Sequence, residues 1–354
     1  MSKDVAEFDP TDPESATPGG ATWEEVPGLI ARGLCMGTAD VVPGVSGGTM
    51  ALILGIYVRF VAAIRSLDLT ALRRLLRFDL AGIHQHVGWR FLGAVVCGQA
   101  IGVVLFTRVF PLPRYLHSHP EQIYGLFFGL VLGSIFMLGR DVSRHEEGDA
   151  RAAALAALAG FGAGLLVVTA VPTDTPESPV FVFFCGCVSI CAMILPGISG
   201  SFVLLILRKY AYVLGKLGEV IHPYEGGGRL EPFLEVVLPF ACGCAIGLLA
   251  FARLLTWLLK RAERSTLAFM TGLMAGSLYA LWPFAERTWT VVRDKKRLIG
   301  STPRLPDLSS GAAWGSLALL GVGVVGVLLL ERLAQPEPAA SPAPEEGSAE
   351  EPQP

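Results

Sequence analysis

The chain has 354 residues, of which 52% are hydrophobic and only 17% are charged, and its mean hydropathy is +0.53. Soluble domains carry about 25% charged residues, and several apolar runs here reach the roughly 20 residues that cross a bilayer as a helix. The composition therefore excludes an ordinary soluble enzyme, a disordered chain and a collagen-like chain.

The formal net charge of −3 conceals two acidic ends. Residues 1–26 hold seven acidic residues and one base, and residues 335–354 hold five glutamates, six prolines and no base. Both ends lack the apolar residues that a core needs, so we predict disordered tails. The remaining chain has 27 basic and 19 acidic residues, a net charge of +8. This excess fits contact with anionic membrane lipids or an anionic substrate, and it equally fits the positive-inside bias of membrane proteins.

Between the tails the chain is a series of apolar segments. They fall at 27–42, 47–64, 89–110, 121–139, 152–171, 180–196, 199–218, 234–259, 266–285 and 311–333. Those at 89–110, 121–139, 152–171, 234–259, 266–285 and 311–333 are long enough to span a membrane as helices. The segments at 27–42 and 180–196 are shorter, and each runs through a Pro-Gly-x-Ser-Gly element into another apolar helix. Such breaks leave backbone groups unbonded, so the elements are expected to line a polar cavity or to pack inside the protein.

The two Pro-Gly-x-Ser-Gly elements are copies of each other. From Ala39, ADVVPGVSGGTMALILGIY aligns without gaps to AMILPGISGSFVLLILRKY from Ala192, at a constant offset of 153 residues and with nine of nineteen positions identical. Chance would give about one identity, so the chain contains an internal duplication.

The duplication predicts a symmetric fold. If each copy is a re-entrant helical hairpin, each half contains one hairpin and three spanning helices, and an odd number of crossings inverts the second half. We therefore predict an all-α polytopic membrane protein of two inverted repeats, residues 27–171 and 172–334. Paired interrupted helices in inverted halves indicate a transporter binding site near the bilayer midplane.

Loop charges agree with this topology in part. Basic loops at 65–90, 140–151 and 260–264 suit the cytoplasm, and the acidic loop at 172–179 suits the outside. The basic loop at 287–304 would lie outside, against the positive-inside bias. The alternative is that the second hairpin spans the membrane, which would put the C-terminal tail outside.

The chemistry of the paired element favours an anion. Its glycines allow close backbone approach, and the following helix offers free N–H groups and the positive end of its dipole. The candidate substrate-binding residues are Pro43, Gly44, Ser46, Gly47, Gly48 and Thr49 in the first copy and Pro196, Gly197, Ser199, Gly200 and Ser201 in the second. The other interpretation is a helix-breaking motif whose small residues only pack helices together.

Charged residues near the two elements are further candidates. Asp40 lies in an apolar segment, where an acid is a functional hypothesis by default. It can carry a coupling proton, cap a half-helix, or form a buried ion pair, for which Arg32 is the nearest partner in sequence. Arg208 and Lys209 follow the second element, and they can hold a phosphate or extend to the membrane interface.

The sequence contains no catalytic constellation. Its histidines all fall in predicted loops, and no Walker A motif is present. GVSGG lies between membrane helices rather than after a strand, so it is not a nucleophile elbow. We therefore predict a protein that is not an enzyme and has no metal site and no cofactor.

Residues 33–57, GLCMGTADVVPGVSGGTMALILGIY, and residues 195–207, LPGISGSFVLLIL, resemble the two signatures of the bacterial polyprenyl-phosphate translocase family. The resemblance covers about residues 30–330. It implies a flippase in the bacterial cytoplasmic (inner) membrane that returns undecaprenyl phosphate for cell-envelope precursor recycling, coupled to protons or another ion. The sequence departs from the family pattern at Val58, Ala211 and Arg208, where the family commonly has an acid, an acid and a glycine.

Two other functions stay open at this stage. One is a secondary transporter of a small soluble anion. The other is an intramembrane phosphatase or transferase acting on the same lipid, which needs a catalytic His or acid pair at membrane depth, where only Asp40 is found. The expected partners are a polyprenyl phosphate lipid and anionic membrane lipids, with no nucleic acid, and homo-oligomerisation is left open.

Overall fold

The computed structural model describes residues 20–42, 45–79, 82–83, 86–110, 112–144, 148–172, 174–221, 230–292 and 295–333. Its helices are α1 (Val26–Asp40), α2 (Gly47–Ile53), α3 (Tyr57–Arg65), α4 (Leu69–Leu76), α5 (Trp89–Val109), α6 (Leu112–Ser118), α7 (Pro120–Arg144), α8 (Ala150–Thr169), α9 (Pro179–Ile194), α10 (Gly200–Ile206), α11 (Tyr210–Ile221), α12 (Leu230–Arg261), α13 (Glu263–Leu281) and α14 (Gly311–Leu333). Helix α5 ends in a π-helical turn, Leu105–Val109, and α12 contains one at Phe233–Val237.

Five helices are long and apolar enough to cross a membrane, namely α5, α7, α8, α12 and α14. They correspond to five of the six predicted spans, and the chain is a multi-pass membrane protein. The sixth predicted span, 266–285, is not among these five helices. It forms α13, a 19-residue helix with Glu263 in its first turn. Helix α13 is the most enclosed of the set, because its small and apolar residues pack among the other helices rather than facing outward.

The fold is largely helical, as predicted, and one hairpin of strands departs from the all-α pattern. The segment expected to be a basic loop, 287–304, lies mostly in an antiparallel hairpin of strands β1 (Ala285–Val292) and β2 (Lys295–Pro303). Ala285 pairs with Pro303 and Val292 with Lys295, with an irregularity between Thr288 and Trp289. The run of β-branched and aromatic residues in TWTVV favours a strand over a loop.

The duplication extends to the start of each helix. Helices α1 and α9 begin at residues 26 and 179, α2 and α10 at 47 and 200, and α3 and α11 at 57 and 210. Each pair keeps the 153-residue offset of the sequence copies. The apolar segments 47–64 and 199–218 were each expected to form one helix, but each is split in two, at 54–56 and 207–209.

A Schellman turn causes this second break in each copy. Gly55 has φ +71°, and the N–H of Ile56 donates to the carbonyl of Ala51 at 2.9 Å. At the equivalent place Arg208 has φ +52°, and the N–H of Lys209 donates to the carbonyl of Leu204 at 2.9 Å. This 6→1 bond satisfies a carbonyl that the ending helix leaves free.

Glycines set the closest helix contacts, and these contacts also recur. Helix α1 packs along α5, where a Cβ on Gly33 would collide with the carbonyl of Val95. Helix α9 packs along α12, where a Cβ on Gly186 would collide with the carbonyl of Phe240. Small residues at such contacts let membrane helices approach closely enough for strong van der Waals packing.

The other two closely packed helix pairs also have glycines at their contacts. Helix α7 packs along α14, with Gly129 against the carbonyl of Leu320, and α8 packs along α13, with Gly272 against the carbonyl of Ala157. Helix α7 also contacts α13. Helices α7 and α13 are the second long helices of the two halves, and α8 and α14 are the third. In both pairs, the second helix of one half therefore packs on the third helix of the other half.

The segment before α1 packs on the helices. Trp23 makes an edge-to-face contact with Trp89, with ring centroids 6.0 Å apart. The guanidinium of Arg59 donates to Glu25 at 2.9 Å, and this hydrogen bond holds the pKa of that carboxyl below its usual range. The packed part of the chain therefore extends back into the predicted tail 1–26. Residues 1–19 and 334–354 lie outside the described residues.

Candidate functional site: two cross-bonded turns

The two Pro-Gly-x-Ser-Gly turns lie against each other and exchange hydrogen bonds. The hydroxyl of Ser46 donates to the carbonyl of Met193 at 3.1 Å. The N–H of Gly197 donates to the hydroxyl of Thr49 at 2.9 Å. The two duplicated elements are therefore in direct contact in the folded chain. Pro43 and Gly44 of the first turn lie outside the described residues.

Two glycines make the close approach possible. A Cβ on Gly48 would lie 2.7 Å from the carbonyl oxygen of Ile194, on the opposing turn. Gly197 has φ +91°, and a Cβ there would lie 2.8 Å from the Cα of Met274 in α13. Both positions exclude larger residues, since the first would separate the turns and the second would push α13 away.

Helix α2 begins with an N-cap that the sequence specifies. Ser46 has extended backbone angles, and its hydroxyl accepts from the N–H of Gly48 at 3.1 Å. The same hydroxyl therefore caps α2 and bonds the opposing turn. In the second copy Ser199 occupies the N-cap of α10 but makes no capping bond. Its hydroxyl instead lies 2.8 Å from that of Ser201.

Asp40 accepts hydrogen bonds on the other side of the first turn. Its Oδ1 accepts from the N–H of Gly47, the first residue of α2, at 2.7 Å, and its Oδ2 accepts from the amide of Gln99 at 2.6 Å. Of the three functions considered for Asp40, capping of a half-helix is the one whose bonds are present. The ion pair with Arg32 is not formed. Arg32 is an exposed residue at the Glu25 end of α1, two helical turns from Asp40.

The two turns differ in exposure. Ser46 and Thr49 are buried, at 2% and 1% exposed. Ser201 is exposed and Ser199 is partly exposed. The hydroxyls of the first turn thus face the second turn, whereas the second turn has an open side at Ser199 and Ser201. Gly47, Gly48, Pro196, Gly197 and Gly200 are buried around them.

The cations predicted for the site lie elsewhere. Arg208 forms an exposed ion pair with Asp174 at 2.7 Å. Lys209 is 2% exposed, and its ammonium donates to the carbonyl of Thr175 at 2.8 Å and lies 5.4 Å from the ring of Tyr212. Both residues follow α10 at the end opposite to Gly200, so a seven-residue helix separates them from the turns.

Sequence reasoning missed Tyr57 as part of the site. Its buried hydroxyl donates to the carbonyl of Ile194 at 3.2 Å, which adds a third bond between the halves. The signal was available, because Tyr57 is one of the nine positions identical in the two copies. The bond from Gln99 to Asp40 links α5 to α1. Across the described ranges, no group of three or more metal-ligating side chains was found.

A comparison of the chain with models of protein families identifies its family. The model described as undecaprenyl phosphate translocase-like matches residues 36–298, a span that includes both turns. The chain belongs to this family.

Two relatives of this translocase-like chain are named polyprenyl-phosphate transporter. One, from Vibrio cholerae serotype O1, is 38% identical over 261 residues, which is 73% of this chain and 79% of the relative. The other, from Staphylococcus aureus, is 30% identical over 267 residues, which is 72% of this chain and 85% of the relative. No solved structure matches the chain.

Proposed function

We propose that this chain is a flippase that returns undecaprenyl phosphate across the bacterial cytoplasmic (inner) membrane, so that the carrier is reused for cell-envelope precursors, and that proton uptake by Asp40 drives it. The observation that carries the proposal is the pair of cross-bonded turns in a multi-pass protein of the translocase-like family. The names of the two relatives support the substrate.

We assign the phosphate to the open side of the second turn. Ser199 and Ser201 present hydroxyls that bond only to each other in the described structure, and both can turn to donate to phosphate oxygens. The prenyl chain has no polar group to satisfy, so it remains in lipid between helices while the head group moves. The buried hydroxyls of Ser46 and Thr49 become available only when the turns separate.

We assign proton coupling to Asp40. As a carboxylate it accepts two hydrogen bonds, from Gly47 and Gln99. A protonated carboxyl has a donor in place of one acceptor site, so proton uptake by Asp40 removes one of these two hydrogen bonds. The remaining acceptor oxygen still bonds the N–H of Gly47, and the amide of Gln99 then becomes a donor for the phosphate. Met193 stands at the equivalent place in the second half and has no titratable group, so one half alone would carry the proton.

The fold we propose for this transport is two inverted repeats, residues 27–171 and 172–334. The recurring helix pairs support the repeat. Its inversion is supported by Arg264 in the first turn of α13, which donates to the carbonyl of Gly148 at 2.9 Å, in the loop after α7. Helices α7 and α13 are equivalent in the two halves, and this contact joins the end of one to the start of the other.

Two further contacts support re-entrant hairpins. In the first half, Arg59 of α3 bonds Glu25 ahead of α1. In the second half, Lys209 after α10 bonds Thr175 ahead of α9. In each half the chain thus comes back near the place where it began. Alternating access would follow from rocking of one half against the other about the two turns.

The transport proposal is tested with purified protein in liposomes that contain labelled undecaprenyl phosphate, with and without a pH gradient. We expect flipping that the gradient accelerates, a loss of at least about tenfold in Ser199→Ala, and flipping insensitive to the gradient in Asp40→Asn. Ser143→Ala is the matched control, because this exposed serine bonds only its own helix. Absence of flipping by the wild type would overturn the proposal. Full competition by inorganic phosphate would instead indicate a transporter of small soluble anions.

The topology is tested separately, by labelling single cysteines in a variant without the native ones. Ser143→Cys in the last turn of α7 should react only from the cytoplasm, and the exposed Ser309→Cys before α14 only from outside. Reaction of Ser309→Cys from the cytoplasm would mean that the second hairpin spans the membrane.

A further inference from the structure

A groove between the C-terminal ends of α7 and α14 combines basic and apolar side chains. Its volume is about 390 Å³, within the roughly 300–1,000 Å³ of ligand pockets. Arg140 and Arg144 line it from α7, and Arg332 and Glu331 line it from α14. None of these residues belongs to the two turns or to the predicted substrate site.

The groove has an excess of positive charge. Arg140 lies 3.4 Å from Glu331, whose side chain is only 12% exposed, so this pair neutralises one of the three arginines. Arg144 and Arg332 are exposed and leave two positive charges at the mouth. Two guanidinium groups facing one cavity match the geometry of a phosphate group, which they can bind through paired hydrogen bonds.

The apolar wall distinguishes a lipid from a soluble anion. Val325 and Leu329 line the groove from α14 and are each 53% exposed. Both lie on a helix that is apolar enough to span a membrane, so their exposed surface is suited to contact with a lipid chain. A soluble phosphate would gain nothing from these side chains, whereas an acyl chain would extend along them.

The surrounding end of the molecule is also basic. Arg264 at the start of α13 bonds the loop that follows α7, so the ends of α12 and α7 lie on the same face. Lys260 and Arg261 add charge there. Basic pockets between membrane helices on the cytoplasmic side are typical sites for anionic lipid head groups.

We propose that this groove binds one anionic glycerophospholipid, with the phosphate between Arg144 and Arg332 and an acyl chain against Val325 and Leu329. The inference does not depend on the transport proposal, because it uses other residues and a bulk membrane lipid. The lipid would bridge α7 and α14, which belong to different halves of the chain.

The test uses full-length protein in nanodiscs of phosphatidylcholine containing phosphatidylglycerol, followed by native mass spectrometry. We expect one retained phosphatidylglycerol, and a decrease of at least about tenfold in retention in the double variant Arg144→Gln, Arg332→Gln, because each arginine near the membrane surface contributes to the attraction. The matched control is Arg151→Gln, Arg261→Gln, which removes two exposed charges from the same face without altering the groove.

Three results would overturn the proposal. The first is equal retention by the wild type and the groove variant, and the second is an equal loss in the control variant, which would indicate only general surface charge. The third concerns the acidic C-terminal tail. If lipid is retained only after its glutamates at 337, 345, 346, 350 and 351 are changed to Gln, the tail rather than lipid occupies the groove.

Discussion

The hydroxyl of Ser46 and the carbonyl of Met193 are joined by a hydrogen bond of 3.1 Å across 147 residues of sequence. Met193 is the counterpart of Asp40 in the duplication, so the same position has two functions. In the first half its side chain caps the turn. In the second half the backbone carbonyl at this position accepts the hydrogen bond from Ser46 of the opposing turn. The two copies have thus diverged in chemistry while keeping the same backbone arrangement.

Thr49→Val is expected to destabilise the contact between the turns. It removes the acceptor of the buried Gly197 N–H, and an unsatisfied buried donor costs about 1–3 kcal/mol. Thr49→Ser keeps the hydroxyl and should stay close to wild type. Thermal unfolding in detergent measures both, and equal midpoints for Val and Ser would show that this bond does not hold the halves together.

Asp40→Ala is expected to lower stability by about 1 kcal/mol, the typical cost of losing an N-terminal helix cap. Asp40→Asn should retain most of this stability, because its amide oxygen can still accept from Gly47. Chemical denaturation in detergent compares the two variants. If Asn is as damaging as Ala, the charge of Asp40 rather than its acceptor geometry stabilises the turn.

Two glycines on α8 give a matched pair for the packing of helices. A Cβ on Gly160 would collide with the carbonyl of Phe269 in α13, whereas a Cβ on Gly162 would meet nothing within 4 Å. Gly160→Ala should therefore cost about 1–3 kcal/mol through overpacking. Gly162→Ala should be neutral or stabilising by about 0.5–1 kcal/mol, since alanine favours a helix over glycine. Similar unfolding midpoints for both variants would contradict the observed α8–α13 contact.

Arg208→Gly is expected to stabilise the protein. Arg208 has φ +52°, a left-handed conformation that costs a non-glycine residue about 1–2 kcal/mol. Its ion pair with Asp174 is exposed on both sides, and such pairs contribute about 0–1 kcal/mol. Arg208→Ala loses the pair and keeps the strain, so its unfolding midpoint should lie at or below that of wild type. A glycine variant less stable than the alanine variant would mean that backbone strain is not the controlling term.

The helices and the breaks between them were predictable because they depend on local chemistry. Apolar runs of sufficient length predict spanning helices, and the Pro-Gly-x-Ser-Gly elements predicted the start of α2 at Gly47 and placed that of α10 one residue before Gly200. The splits at Gly55 and Arg208 were missed. A Schellman turn depends on one residue with positive φ, and neither Arg208 nor a single glycine in an apolar run is a strong signal.

The partners of the charged residues could not be predicted in the same manner. Arg32 was the nearest base to Asp40 in sequence, but about two turns of α1 separate the two residues. Gln99, on another helix, takes that place. Lys209 lies only nine residues from Gly200, yet a short helix directs it toward Thr175. Residues that are close in sequence are held apart when a length of helix lies between them. Helix packing brings together residues that are far apart in sequence.

Hydropathy, repetition and Pro-Gly content act within short segments, so the amino-acid sequence was enough to predict a membrane protein with two related halves and a helix break at each Pro-Gly-x-Ser-Gly element. The hydrogen bonds between the two turns, the capping of α2 by Asp40 and the exposure of Ser199 and Ser201 could be read only from the folded chain. Those relationships depend on how α1, α5, α9 and α13 pack, and glycine contacts that are far apart in sequence set that packing.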